Sequence, residues 1–303
     1  MNVVQTTNIF KIYGNKTVVS HLNMCVQDGD IYGFIGKNGS GKSTTLKMLC
    51  GISNPSGGEI TLFDRPITDE VARHRIGVLI ETVGVYPNKS ALENMLLKAY
   101  CFGVIDAPKA CRECLELVGL SECGRKPVKH FSMGMKQRLG IAMALMGNPD
   151  LLLLDEPING LDPEGIIEIR ELLLRLNRER GITMVISSHI LGELSKIATR
   201  YGILNEGQLM TEITAGELQE QCRECIVVKT KDARRASAIL EQEANVHKYE
   251  VSSNDELRIF DNLSSAKING VLSDHHIEVS EVYSHHQDLE EYFMEMTGGE
   301  KHV

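Results

Sequence analysis

The stretch that most constrains the fold is residues 31–50, IYGFIGKNGSGKSTTLKMLC, in which a short apolar run leads into a glycine-rich turn and a helix-like segment. This order predicts a strand, a loop and a helix. Residues 36–43 fit the phosphate-binding loop pattern, in which glycines without a Cβ let backbone N–H groups turn toward phosphate oxygens. The candidate phosphate-binding residues of this stretch are Gly36, Asn38, Gly39, Ser40, Gly41, Lys42, Ser43 and Thr44.

Two side chains of this loop carry the expected chemistry. Lys42 can reach the β- and γ-phosphates of a nucleotide, and the hydroxyl of Ser43 can ligate Mg²⁺. The helix that follows adds the positive end of its dipole. An ordinary glycine-rich turn followed by an unrelated lysine is the alternative, but the flanking strand and helix are those that the phosphate-binding mechanism requires. The sequence therefore predicts an α/β chain that binds the phosphates of a nucleotide together with Mg²⁺.

Length and charge narrow the class of protein. A chain of 303 residues suits one large and one small domain. The formal net charge of -9 argues against nucleic acid as the main partner, because phosphate neutralisation needs clustered Lys and Arg. No unbroken apolar stretch approaches the ~20 residues that a membrane span needs. The N-terminal residues lack a signal-peptide pattern, so we expect a cytosolic chain with reduced cysteines.

Three apolar runs end in polar side chains. Residues 151–157, LLLLDEP, predict a central buried strand that ends at Asp155 and Glu156. Residues 76–81 predict a strand that delivers Glu81, and residues 183–189 one that presents His189. In α/β folds such strand ends face the ligand. We expect Asp155 to hold Mg²⁺, Glu156 to polarise an attacking water and His189 to contact a γ-phosphate. The alternatives are an ordinary strand end for the two carboxylates and a capped core residue for His189.

Other segments are assigned by their pattern. Residues 1–30 predict short strands, 90–123 a helical block, and 163–180 an amphipathic helix closed by Gly181. Two similar CREC tetrads, at 111–114 and 222–225, raise the alternative of a zinc site. The gap between them is far wider than the ~15–20 residues of compact zinc ribbons, which favours coincidence.

The ordered set of motifs resembles the ATP-binding subunits of ABC transporters over residues 1–218. GKNGSGKST is similar to the family's Walker A loop, FSMGMKQR at 131–138 to its signature segment and LLLLDEP to its Walker B strand. Residues 159–162 are similar to its D-loop, and His189 to its switch histidine. The resemblance implies a P-loop core with an antiparallel β subdomain and a helical subdomain near 88–135. It also implies that Tyr13, otherwise a half-buried strand aromatic, stacks on adenine.

Two departures from the family pattern indicate a subfamily. Glu81 stands where the family usually has a glutamine that contacts Mg²⁺, and a carboxylate has no amide N–H₂ to donate. The signature has Met133 where glycine is common, while Ser132 and Gly134, the residues implied to meet a γ-phosphate, are kept. With the phrase at 76–95, these features resemble the bacterial subfamily that exports, or confers resistance to, peptide antibiotics such as bacitracin and lantibiotics.

The resemblance also implies partners. The signature of one chain binds the nucleotide held by another, so we expect a homodimer with two ATP molecules between the subunits. We expect it to work as a peripheral ATPase at the cytoplasmic face of the membrane, on a separate permease. The alternatives are an exporter subunit for a drug or lipid, a soluble ABC ATPase acting on ribosomes or nucleic acid, and a sensor that seldom hydrolyses ATP. Glu156 and His189 argue against the sensor, which needs neither.

Beyond the resemblance, residues 219–303 are assigned by pattern alone. Their apolar runs predict the order β-α-β-β-α-β of a small α+β, ferredoxin-like domain. Such a domain can regulate the ATPase, support dimerisation, dock on the permease or simply cover the core. The sequence does not separate these roles, and it names neither the permease nor the transported compound.

Overall fold

The computed structural model describes residues 1–222, 224–253, 255–261, 263–285 and 289–296. The chain divides into two compact units, Met1–Ala215 and Gly216–Val303. Within the described ranges, no helix combines the length and the apolar character that a membrane crossing requires.

The first unit contains both strands and helices. Its strands, in chain order, are β1 (Asn2–Tyr13), β2 (Lys16–Gln27), β3 (Ile31–Gly36), β4 (Gly57–Leu62), β5 (Arg65–Pro66), β6 (Ile76–Leu79), β7 (Leu151–Asp155), β8 (Thr183–Ser188), β9 (Arg200–Asn205) and β10 (Gln208–Thr214). Its helices are α1 (Lys42–Leu49), α2 (Glu70–His74), α3 (Ala91–Cys101), α4 (Ala107–Leu117), α5 (Met133–Ala144), α6 (Pro163–Arg180) and α7 (Leu191–Leu194).

A six-stranded sheet with the order β10-β9-β3-β8-β7-β6 forms the centre of this unit. The strands β9, β3, β8, β7 and β6 run parallel, and β10 pairs antiparallel with β9. All residues of β3, β7 and β8 are buried, which explains why these strands are near-continuous apolar runs. The predicted strand, loop and helix at 31–50 are thus confirmed as β3, the turn and α1.

A second sheet, β2-β1-β4-β5, is antiparallel. The sequence predicted short strands at 1–30, whereas the structure has two twelve-residue strands, so that prediction was wrong in length. The physical cause of this difference is local irregularity in the two strands. Asn8 and His21 take positive φ, and the pairing of β1 with β2 shifts register between Thr6 and Ile9. Such bulges interrupt the alternation of apolar and polar residues from which strand length is predicted.

The helices begin and end where their capping residues dictate. Asp162 accepts a hydrogen bond from the N–H of Gly165 at the start of α6, and Gly181 ends that helix with φ 65°. Residues 163–180 form the helix that the sequence predicted. In the helical segment that follows β6, Ser90 and Glu93 form a reciprocal capping box before α3. α3, α4 and α5 then pack against one another.

The second unit is a small α+β fold. Its elements are α8 (Ala215–Gln221), β11 (Cys225–Thr230), α9 (Ala233–Glu243), β12 (Tyr249–Ser253), β13 (Glu256–Ile259), α10 (Ser265–Asp274), β14 (Val279–His285) and α11 (Leu289–Met296). The sheet order is β12-β13-β11-β14, and every pairing is antiparallel. Together with the crossover helices α9 and α10, this is the arrangement of a ferredoxin-like unit. Its core includes Val228, Leu240, Leu257 and Leu272.

The central strand β7 gives a test of how the first unit is stabilised. Leu153 is fully buried in this strand, so Leu153→Ala should lower the free energy of unfolding by about 2–5 kcal/mol. Leu97→Ala is the control, because Leu97 in α3 is 43% exposed and its loss should cost less than about 0.5 kcal/mol. Chemical denaturation measures both. Equal effects would contradict the placement of β7 at the centre of the core.

Candidate functional site

The parallel strands bring the predicted site residues to one edge of the central sheet. In the register of the sheet, Ile35 pairs with Ser188, and Asp155 pairs with Ser187. On the other side of β7, Leu79 pairs with Leu154. Because neighbouring strands lie ~4.8 Å apart, the chain segments that follow β3, β6, β7 and β8 emerge side by side. This edge therefore collects the phosphate-binding loop, Glu81, Asp155, Glu156 and His189.

The loop between β3 and α1 has the backbone of a phosphate cradle. Gly39 and Gly41 have φ of 83° and 106°, a conformation that L-residues with a side chain rarely adopt. A Cβ on Gly41 would lie 2.7 Å from the carbonyl oxygen of Val18, so the position also requires glycine for space. Ser40 Oγ is buried, and within the described ranges it has no hydrogen-bond partner. A buried hydroxyl of this kind suits a phosphate oxygen.

The other predicted residues of this stretch flank the cradle. Gly36 ends β3, Asn38 is exposed in the loop, and Ser43 and Thr44 lie half-buried in the first turn of α1.

Lys42, the first residue of α1, is buried at this edge. Its Nζ donates hydrogen bonds to the carbonyl oxygens of Gly36 at 2.6 Å and Lys37 at 3.2 Å. It also lies 3.7 Å from Glu156 Oε1. Burial lowers the pKa of Lys42, and the carboxylates of Glu156 and Asp155 partly oppose that effect. The site thus presents a desolvated ammonium group beside the turn that would hold the phosphates.

The two carboxylates at the end of β7 have different surroundings. Asp155 is buried, and its Oδ1 accepts a hydrogen bond of 2.5 Å from Ser187 Oγ on β8. Glu156 takes φ 49°, and its N–H donates to Ser187 Oγ at 3.0 Å. The side chain of Glu156 lies between Lys42 and His189, whose Nδ1 is 2.8 Å from Glu156 Oε2. The structure therefore fixes Asp155 and brings Glu156 and His189 together.

Glu81 lies two residues beyond β6, in a left-handed conformation with φ 62°. Its carboxylate forms a hydrogen-bonded ion pair with Lys47 of α1. The sequence predicted a strand through residue 81, whereas β6 ends at Leu79. The positive φ of Glu81 explains the difference, since an extended strand cannot continue through it. Glu81 is consequently a turn residue that reaches back toward α1.

Tyr13 lies at the end of β1 with its side chain 50% exposed. Its hydroxyl is 3.3 Å from Ser53 Oγ, and the Lys11 ammonium lies 4.9 Å from the centre of its ring. The exposed part of the ring leaves room for a stacking partner. A half-exposed residue at the end of β1 fits the alternative of a strand aromatic, and the exposed face of the ring remains accessible.

Ser132 and Gly134 occupy the start of α5. Ser132 is the N-cap, and its Oγ accepts a hydrogen bond of 3.2 Å from the N–H of Met135. Ser132 is exposed and Gly134 is half-buried. Among the described residues, neither is joined by a hydrogen bond or ion pair to the phosphate-binding loop. A helix N-terminus at the surface offers N–H groups to an anion, but the structure does not bring these two residues into the cluster around Lys42.

Two residues of the cluster were missed by reasoning from the sequence. Ser187 bridges Asp155 and Glu156, and Lys47 pairs with Glu81. Both are common residue types inside regular elements, so their own positions carry no motif signal. Only the pairing of β7 with β8, and the fold of the turn after β6 onto α1, identifies them.

The cysteine tetrads give no metal site in the part of the chain that is described. No group of three or more His, Cys, Asp or Glu side chains is placed there to hold a metal ion. Cys111 and Cys225 are buried, and burial raises the pKa of both thiols, that of Cys111 to about 11. A raised thiol pKa disfavours the thiolate that would bind a metal.

The known proteins to which this chain is similar are ATP-binding proteins of transporters. Residues 19–159 match the family described as ABC transporter. The bacitracin transport ATP-binding protein BcrA of Bacillus licheniformis is 42% identical over 301 residues, which cover 98% of each chain. The lantibiotic transport ATP-binding protein SrtF of Streptococcus pyogenes is 41% identical over 210 residues, which cover 69% of this chain and 90% of SrtF.

Solved structures agree with the sequence relatives. A dimeric ATP-binding cassette, in a post-hydrolysis state with ADP and Pi, covers 70% of this chain and 98% of its own, with a TM-score of 0.64 and 27% identity. These matches confirm the predicted P-loop ATPase fold and the resemblance on which it was based.

The bridging role of Ser187 can be measured without a ligand. Ser187→Ala should lower the free energy of unfolding by about 1–3 kcal/mol, because the buried Asp155 carboxylate loses a hydrogen-bond donor. Ser195→Ala is the matched control, since Ser195 is exposed and its Oγ donates only to the Gly192 carbonyl oxygen. Denaturant titration compares the two. A loss no larger than that of the control would show that Ser187 does not support Asp155.

Proposed function

Because the chain belongs to the family of ABC transporter ATP-binding proteins and is an ATPase, we propose that it powers a separate membrane permease that exports an antimicrobial peptide or a related compound. One observation carries the proposal: the whole chain is 42% identical to a bacitracin transport ATP-binding protein. The matched region includes the second unit as well as the ATPase core. A chain that shared only the P-loop core would not match over the second unit. The expected place of action is the cytoplasmic face of the membrane.

Nucleotide binding is assigned to the edge of the central sheet. We assign the phosphates to the residues of the loop and the first turn of α1, and the adenine to the exposed ring of Tyr13. Three features support this fit: the positive φ of Gly39 and Gly41, the unpartnered hydroxyl of Ser40, and the buried ammonium of Lys42. The residues assigned to the phosphates are Gly36, Asn38, Gly39, Ser40, Gly41, Lys42, Ser43 and Thr44.

The donor set at this edge suits Mg²⁺. Mg²⁺ prefers oxygen ligands, and in nucleotide sites it is held by one or two carboxylates together with phosphate oxygens. The Ser43 hydroxyl and the carboxylates of Asp155 and Glu81 are the oxygen donors assigned to it. When bound, the ion neutralises charge on the phosphates. The hydrogen bond from Ser187 keeps Asp155 oriented for this role.

Hydrolysis is assigned to Glu156 and His189. A carboxylate at the position of Glu156 can accept a hydrogen bond from water and polarise it for attack on the γ-phosphate. His189 is 2.8 Å from Glu156, so one ring nitrogen orients that carboxylate while the other is left for the γ-phosphate. Lys42 keeps the phosphates in place during this step.

Ser132 and Gly134 complete the site from a second copy of the chain. They are not bonded to the loop of their own chain, and the similar cassette of known structure is dimeric. A head-to-tail pair would place the N-terminus of α5 of one chain against the γ-phosphate held by the other. ATP would then close the pair, and hydrolysis would open it.

The helical segment offers a surface for the permease. Large apolar side chains are exposed along and after α3, including Tyr100 at 65% and Ile105 at 94%. Exposed apolar groups close together are typical of protein interfaces.

We assign residues 1–218 to the ATPase domain, with 88–135 as its helical subdomain, and 219–303 to an accessory domain.

Affinity purification from membranes tests the transporter assignment. The tagged chain should copurify with a polytopic membrane protein in stoichiometric yield after gentle solubilisation. Replacing Tyr100 and Ile105 by serine should reduce that yield, because both side chains are exposed and their loss leaves the core unchanged. Recovery with ribosomes or nucleic acid, and with no membrane protein, would contradict the proposal and favour a soluble ABC ATPase.

Glu156→Gln tests the catalytic assignment. Loss of the carboxylate should lower the rate of ATP hydrolysis by about 10²–10⁴-fold while ATP binding is kept, so that ATP stabilises a dimer. Phosphate release and size-exclusion chromatography with ATP measure the two effects. Glu116→Gln, an exposed residue of α4, is the control and should hydrolyse ATP at the wild-type rate. Hydrolysis by Glu156→Gln at that same rate would remove Glu156 from its assigned role.

A further inference from the structure

A second lysine and carboxylate pair lies at the sheet edge that carries the site. Lys47 Nζ and Glu81 Oε1 form a hydrogen-bonded ion pair. Lys47 belongs to α1, the helix that begins with Lys42.

The register of the sheet places the turn that carries Glu81 beside the end of β7. Leu79, the last residue of β6, pairs with Leu154, so the chain leaves β6 next to the point where it leaves β7. Glu81 and Glu156 each follow two residues after this pair, and both take positive φ. Backbone conformations that L-residues rarely adopt persist only where the surrounding structure imposes them. The turn after β6 therefore fixes the backbone of Glu81, and the ion pair with Lys47 directs its carboxylate toward α1.

The charges at this edge are unbalanced without Lys47. Glu81, Asp155 and Glu156 are three carboxylates, and Lys42 offsets one of them by lying 3.7 Å from Glu156. Bound ATP would add the negative charge of its phosphates. Like charges repel each other. A further carboxylate at position 81 would therefore oppose nucleotide binding unless a cation accompanied it.

Lys47 is that cation. Its Nζ lies on the Glu81 carboxylate in the hydrogen-bonded ion pair. Its side chain is 29% exposed and that of Glu81 is 60% exposed, so the pair itself contributes little to the stability of the fold.

We propose that Lys47 is a positioning residue of the nucleotide site, which holds and neutralises Glu81 so that a carboxylate can stand at this edge without repelling the phosphates. The inference rests on the proposed assignment of this edge to ATP. It extends that assignment to a residue outside the phosphate-binding loop. Lys47 acts through Glu81 and does not itself ligate the phosphates.

Equilibrium binding of fluorescently labelled ATP to the full chain tests this role. In EDTA, Lys47→Gln should weaken binding about fivefold, because the Glu81 charge is no longer compensated. With Mg²⁺ the loss should be smaller, since the ion neutralises part of the phosphate charge. Lys47→Arg should bind as the wild type does. Lys109→Gln is the matched control, because it makes the same chemical change in another exposed pair, with Glu113 at 3.9 Å in α4.

The double variant decides between neutralisation and direct contact. If Lys47 acts through Glu81, adding Glu81→Gln to Lys47→Gln restores wild-type affinity in EDTA. If the double variant stays as weak as Lys47→Gln, Lys47 contacts phosphate directly and the proposal is overturned. It is also overturned if Lys47→Gln binds as tightly as Lys109→Gln. A wild-type chain that binds no ATP would instead refute the nucleotide site itself, and with it this role. Thermal unfolding of each variant, expected at the wild-type temperature, confirms that the fold is intact.

Discussion

The candidate site depends on the parallel pairing of β3, β8, β7 and β6. Parallel strands end at a common edge, so four segments that are far apart in the sequence release their polar residues at one place. The strands can run through the core because their side chains are apolar on both faces, as the four leucines of β7 are. The same arrangement that buries the strands therefore concentrates carboxylates, a lysine and a histidine at their ends.

Concentrated charge has an energetic cost that this edge offsets locally. Burial disfavours the ammonium of Lys42, which is compensated by two backbone carbonyl oxygens and by Glu156. Asp155 is buried but accepts a hydrogen bond from Ser187. Polyphosphate offers Lys42 a stronger anionic partner than Glu156 does. Nucleotide binding would therefore release Glu156 from Lys42 and leave it with His189, as the assignment of Glu156 to the attacking water requires.

The sequence predicted most of the elements that build this edge. The loop at 36–43, the apolar run of β7 and the helix at 163–180 each have a local cause, namely glycine spacing, uninterrupted leucines, or a cap at both ends. Ser187 and Lys47 could not be predicted, because their roles arise from strand register and from a turn that folds back. The prediction of short strands at 1–30 was wrong for a related reason. The irregular conformations of Asn8 and His21 leave no clear signal in the residue pattern.

Glu81 and Glu156 share a backbone conformation that ties the geometry of the site to the fold. Both take positive φ two residues after the paired Leu79 and Leu154, so the chain leaves its strand direction at the same level of the sheet in both places. That conformation costs ~1–3 kcal/mol per residue and must be imposed by neighbouring contacts. For Glu156 these contacts include the bonds of its N–H to Ser187. Ser187 supports the backbone of Glu156, and Lys47 pairs with the Glu81 carboxylate. The chemistry of this edge therefore depends on side chains that contact the assigned site residues.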